Sequence, residues 1–246
     1  MSAIQVLYDN WNEIDELRNV FRQGFLQTKV YGFYGDNEHL ELIQRYNVDN
    51  DLSHGARVAQ MVSDLMDLWP MYYHDVDKAC AVRVALNHDI GELVVGDMLD
   101  DGCKEHDLKK DPEYQAVDRY FRRMPDEVYY RCMDYYNQFS KSDTFLGQSI
   151  RLMDKLDFLG KLIKLEGEGM IGKLSDKVNP SKRDLEFALE IDSDDYVDIV
   201  ARGLLKIFQD DNFDYRLVQI GVSFLTCALR EIGRPFYSWW PKGYPH

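Results

Sequence analysis

Four residues stand where a buried apolar side chain is expected. His54 lies one helical turn before Val58, on a stripe that continues through Met61, Val62, Leu65 and Trp69. His88 ends the stripe Ala81, Val84, Ala85, and Asp89 adjoins it. Asp154 lies one turn from both Ile150 and Phe158, so a carboxylate interrupts a row that should point inward. Taking a carboxylate out of water without a partner is costly. A divalent metal shared with the imidazoles is one such partner, since two imidazoles and two carboxylates suit a borderline ion. The residues taken singly leave other readings open: a histidine satisfied within the core, or Asp154 paired with Lys155 or Lys161.

The elements that must position these groups read as helices. Short amphipathic patterns cover residues 12–27 and 37–46. Ser53 offers an N-cap to a helix that Pro70 closes, and a second strong pattern runs from Val76 to His88. GELVVGDMLDDGCKEHDLKKDP is rich in glycine and acid, and predicts a helical turn followed by a long irregular connection. Pro125 opens a helix over DEVYYRCMDYYNQF, and a longer one runs from about Asp143 to Gly167. GEGMIGKLSDKVNPSKRD is a loop by composition; helices around 181–191, 194–209 and 213–232 complete the regular structure. The tail RPFYSWWPKGYPH is aromatic and proline-rich, and its Phe236, Tyr237, Trp239 and Trp240 are expected to cover the chain's own core, the alternative being a partner or dimer contact. With no alternating strand pattern, the fold class is all-α, an irregular helical bundle.

Composition narrows the function. Forty-three acids against 29 bases give a formal net charge of −14, which disfavours nucleic acid and anionic membranes as partners. A small phosphate ligand stays compatible, because a metal ion and a few cations dominate inside a pocket. No apolar run is long enough to cross a bilayer, and the N-terminus lacks the basic-then-apolar pattern of an export signal. The four cysteines, Cys80, Cys103, Cys132 and Cys227, are scattered with no CxxC pair, as in a reduced cytoplasmic protein.

In order and spacing, His54, then His88-Asp89, then Asp154 resembles the H…HD…D pattern of the HD phosphohydrolase superfamily. HDIGELVVGD (88–97) is similar to the HDxxExxxGD signature of the HD-domain 5′-deoxynucleotidases. Arg45-Tyr46 resembles that family's Arg-Trp pair, with a shorter loop to His54, and residues 135–159 resemble the helix that delivers the last aspartate. The resemblance spans roughly residues 40–166. It implies an HD-type core and does not account for the C-terminal 80 or so residues. The expected organisation is a helical extension over 1–36, the HD-type core over 37–170, and a C-terminal helical extension over 171–246 packed on that core. It also implies one divalent metal ion (Mn, Co, Zn, Fe, Ni or Mg) held by His54, His88, Asp89 and Asp154. Glu92 would sit beside the attacking water, Asp97 would contact the sugar 3′-hydroxyl, and Arg45 with Tyr46 would bind the substrate phosphate end. The activity implied is removal of phosphate from (deoxy)nucleoside 5′-monophosphates by a homodimeric enzyme.

Departures from the pattern bear on the substrate. The chain continues GDMLDDGCK where the family places prolines, and SHGARVA lacks the acid that commonly precedes the histidine. Between the HD pair and Asp154 the only further histidine is His106, which disfavours the dinuclear cyclic-nucleotide phosphodiesterases. Glu92-Leu93 fits the alarmone hydrolases poorly. A triphosphate hydrolase would draw on Arg57, Lys104, Lys109 and Lys110. A reading from another class is a non-catalytic nucleotide-sensing or interaction module, against which the complete ligand set stands.

Overall fold

The computed structural model describes residues 51–95, 112–167, 169, 173, 182–210 and 213–234. The segments expected to be helical over 12–27 and 37–46 and the aromatic tail lie outside these residues, as do Arg45, Tyr46, Asp97, Lys104, Lys109 and Lys110. In chain order the α-helices are α1 (Asp51–Leu68), α2 (Lys78–Leu86), α3 (Glu92–Val95), α4 (Pro112–Phe121), α5 (Asp126–Lys141), α6 (Phe145–Gly167), α7 (Lys182–Ile191), α8 (Tyr196–Asp210) and α9 (Tyr215–Glu231). A 3₁₀ turn, Pro70–Tyr72, follows α1. Among the described residues there is no β-strand, only an isolated bridge between Lys173 and Asp195. The all-α expectation holds.

Helix α6 is the axis of the bundle. Ile150, Leu152, Leu156, Leu159, Leu162 and Ile163 are almost completely buried on several of its faces, as expected of a helix surrounded by others. It packs against α1, α5, α8 and α9, while α2 bridges α1 and α5. One continuous core runs from Val58, Val62 and Leu65 of α1 through α6 to Leu217, Leu225 and Leu229 of α9.

Close backbone approach sets two of these contacts. A Cβ on Gly55 would stand 2.5 Å from the carbonyl oxygen of Leu86, so glycine lets α1 touch the end of α2 right beside His54. A Cβ on Gly147 would stand 2.0 Å from the Gln138 carbonyl oxygen, where α5 and α6 turn back on each other. Between those helices Ser142 takes the left-handed conformation (φ 52°) and Thr144 Oγ1 accepts the Gly147 N–H.

Two local expectations need correction. Helix α1 starts at Asp51, so Ser53 lies inside it and is not its cap; an acid in the first turn is favoured by the helix dipole. Helix α2 begins after Asp77, whose side chain accepts the Cys80 N–H, and ends at Leu86 where Asn87 caps it. His88 therefore stands in the turn beyond the helix. The expected irregular connection after Val95 lies outside the described residues; beyond it Pro112 opens α4, a helix not anticipated from the sequence, which buries Val117, Tyr120 and Phe121.

Candidate metal centre

Three separate elements bring the candidate ligands together. Helix α1 carries His54 on its buried stripe, where its side chain is 1% exposed. The turn after α2 presents His88 and Asp89. Helix α6 offers Asp154 on the face toward α1. His54 Nε2 lies 3.3 Å from His88 Nε2, 3.1 Å from Asp154 Oδ1 and 3.6 Å from Asp89 Oδ2. His88 Nε2 lies 3.1 Å from Asp89 Oδ1 and 3.8 Å from Asp154 Oδ1. Ligand atoms held at about 2.1 Å around one ion stand roughly 3.0–3.5 Å from their neighbours. The three shorter separations match a shell of that size, while His54–Asp89 and His88–Asp154 are wider. Among the described residues His54, His88 and Asp89 have ligand atoms all within 4.8 Å of one another, and Asp154 adjoins the group through His54.

The outward nitrogens decide what the inward ones do. His54 Nδ1 lies 2.8 Å from Asp157 Oδ2, and His88 Nδ1 lies 2.8 Å from the Ala85 carbonyl oxygen. Both partners are acceptors, so each Nδ1 carries the proton. In the neutral ring each Nε2 then turns a lone pair toward the carboxylates and the other imidazole. Two Nε2–H groups facing one another at 3.3 Å would repel, whereas a shared cation satisfies both lone pairs and the carboxylates together. The donor set fits a borderline divalent metal.

Asp154 is 6% exposed. Burial pushes its carboxyl pKa up, but the Lys155 ammonium and the two imidazoles prevail and hold it well below the usual carboxylate value. Lys155 Nζ sits 2.9 Å from Asp154 Oδ2, so the lysine takes one oxygen while the other faces the histidines. The lysine-pairing and metal-ligand readings of Asp154 are compatible.

Two aspartates that the sequence analysis did not single out complete the surroundings. Asp157, one turn beyond Asp154, orients His54 and is itself gripped by Arg57, with Nε 2.6 Å from Oδ1 and Nη2 2.8 Å from Oδ2. Burial raises its pKa, and hydrogen bonds from His54 and Arg57 outweigh that to lower it. The D-x-x-D spacing on one helix face was the signal for it. Arg57, read from sequence as a candidate phosphate cation, is thus committed to Asp157. The second, Asp51, is 1% exposed, and Asp51, Asp89 and Glu92 each place an oxygen within 4.8 Å of the others. An acid does precede His54, one turn upstream and not adjacent. Glu92, on α3, lies on the Asp89 side of the cluster, while Arg45, Tyr46 and Asp97 are outside the described residues.

The chain is similar to a solved structure of a predicted metal-dependent phosphohydrolase from Magnetospirillum magnetotacticum MS-1, with TM-score 0.53 and 19% identity over 95% of this chain and 97% of that one. It is also similar to a conserved hypothetical protein from Pyrococcus furiosus, with TM-score 0.48 and 20% identity over 83% of this chain and 98% of the other. The first of these likenesses concerns the fold alone. No curated protein matches the chain. The model of the HD domain family matches residues 43–178, more than half of the chain and the whole span from His54 to Asp154. The protein belongs to the HD domain family.

Proposed function

We propose that the protein is a metal-dependent phosphohydrolase whose substrates are nucleotides, most directly (deoxy)nucleoside 5′-monophosphates. The observation that carries this is the convergence of His54 Nε2, His88 Nε2 and oxygens of Asp89 and Asp154, with both Nδ1 protons turned outward. His54, His88, Asp89 and Asp154 would hold one divalent ion. Bound there, such an ion supplies Lewis acidity toward a phosphoryl oxygen and lowers the pKa of water.

The remaining work falls to the chain's own side chains. Asp157 and the Ala85 carbonyl fix the two imidazole planes, so the donors need no rearrangement during reaction. Glu92, in the carboxylate group with Asp51 and Asp89, orients the attacking water and accepts its proton. Arg45, with Tyr46, would orient the phosphate by its planar fork of donors, and Asp97 would accept a hydrogen bond from the sugar 3′-hydroxyl. The description carried by the Magnetospirillum magnetotacticum structure supports the same class of chemistry.

The test is phosphate release from a panel of deoxy- and ribonucleoside mono- and triphosphates, by purified protein supplied in turn with Mn, Co, Zn, Ni, Fe and Mg. Metal-dependent release of orthophosphate from monophosphates, absent in Asp154→Ala, is the expected result. Tripolyphosphate release from triphosphates would replace the substrate with the triphosphate alternative. Metal binding with no hydrolysis of any member would favour the non-catalytic module.

A further inference from the structure

Behind the metal centre, on the far side of Asp157, a cavity of about 480 Å³ opens between α1, α6 and α9. Its volume lies within the range of small-ligand sites. Arg57, Lys161 and Lys164 bring three cations to its wall, and among the described residues Asp157 is the one carboxylate in its lining. That carboxylate is already taken up by the Arg57 fork and by His54. Lys161 and Lys164, three residues apart on α6, have no ion-pair partner among the described residues. In a chain of net charge −14, this is a local reversal of sign.

The rest of the lining is apolar. Phe224, Ala228 and Ile232 from the α9 side face Gly160 and Ile163 of α6. Gly160 matters to the shape: a Cβ there would stand 3.3 Å from the Phe224 ring, so glycine lets the ring lie against the α6 backbone. Cations along one wall and an aromatic ring with aliphatic neighbours along another suit a ligand with an anionic head and a flat apolar body.

We propose that this cavity binds an organic phosphate of the nucleotide class, at a site separate from the metal centre. Arg57 reaches the cavity and Asp157 at once, and Asp157 holds His54. A phosphate drawn to Arg57 therefore acts two hydrogen bonds away from the His54 imidazole, through Asp157. The site does not depend on which reaction the metal centre performs.

Binding of N-methylanthraniloyl-ADP to chelator-stripped protein, followed by fluorescence, tests this without any contribution from a bound metal. Wild type and Asp154→Ala should both give saturable binding. The double variants Lys161→Glu/Lys164→Glu and Lys161→Gln/Lys164→Gln, checked by circular dichroism and thermal melting, should bind at least about tenfold more weakly. Cys227, the exposed thiol in the cavity lining, gives an independent reading. ADP should slow its alkylation by iodoacetamide in wild type, as mapped by peptide mass spectrometry, and not in the lysine variants. Equal affinity in wild type and folded lysine variants, or no binding to wild type, would overturn the proposal.

Discussion

Replacing Asp157 by alanine should weaken metal binding without touching a ligand. In the native centre the carboxylate receives the His54 Nδ1–H at 2.8 Å and so commits the imidazole to the tautomer with an Nε2 lone pair. Without it, the buried ring recovers a hydrogen bond by moving its proton to Nε2, where Asp154 Oδ1 waits at 3.1 Å. A metal must then reverse that tautomer and leave Nδ1–H unpaired. The cost is about that of one charge-assisted hydrogen bond, roughly 1.5–3 kcal/mol. That is about 10- to 150-fold in affinity, in line with the ~10–100-fold typical when an outer partner of a metal histidine is lost. Arg57 adds little to the penalty, because its side chain is 40% exposed and can rehydrate. Asp157→Asn keeps an acceptor but loses the charge, so its effect should fall between wild type and alanine. Isothermal titration of chelator-stripped protein with Mn²⁺ reads the difference directly. An Asp157→Ala protein that melts cooperatively and binds Mn²⁺ within twofold of wild type would refute this role for the carboxylate.

Glu92→Ala should stay folded and keep its metal while turnover drops on the order of 10²- to 10⁴-fold; near-normal rates would remove Glu92 from proton transfer. Gly55→Ala should lower stability by about 1–3 kcal/mol in urea unfolding, since its Cβ would meet the Leu86 carbonyl oxygen at 2.5 Å; no measurable loss would mean that α1 and α2 can part freely. Burial raises the Glu166 carboxyl to about 7 against the pull of Arg234, with Asp195 contributing in the same direction as burial. The folded state thus keeps a proton that the unfolded chain has released, and stability falls as pH rises from about 4.5 toward 7. Glu166→Gln should therefore show a smaller drop in apo-protein melting temperature between pH 5 and pH 8 than wild type, and an equal or larger drop would contradict that origin.

Much of the scaffold was legible because α1 and α6 follow helical periodicity closely. Val58, Val62 and Leu65 are buried as the stripe through His54 requires, and Asp154 does break an otherwise apolar row. The end of α2 was harder to read. Val84 and Ala85 continue toward His88 in perfect register, yet Asn87 folds back onto Arg83 and stops the helix, a capping choice that periodicity does not encode. Helix α4 was missed because its buried residues are few and follow an acid-rich stretch, although Pro112 was a readable start signal. Asp157 and Asp51 looked like ordinary helix-surface acids. Only the meeting of α1, the α2 turn and α6 shows that one orients His54 and the other joins the carboxylates of Asp89 and Glu92.

Anomalous diffraction from crystals of the Mn²⁺-loaded protein locates the cation outright. One peak per chain is expected, within about 2.0–2.4 Å of His54 Nε2, His88 Nε2 and oxygens of Asp89 and Asp154. A peak elsewhere, ligation through either Nδ1, or no peak at saturating Mn²⁺ would contradict a metal centre built from these four side chains.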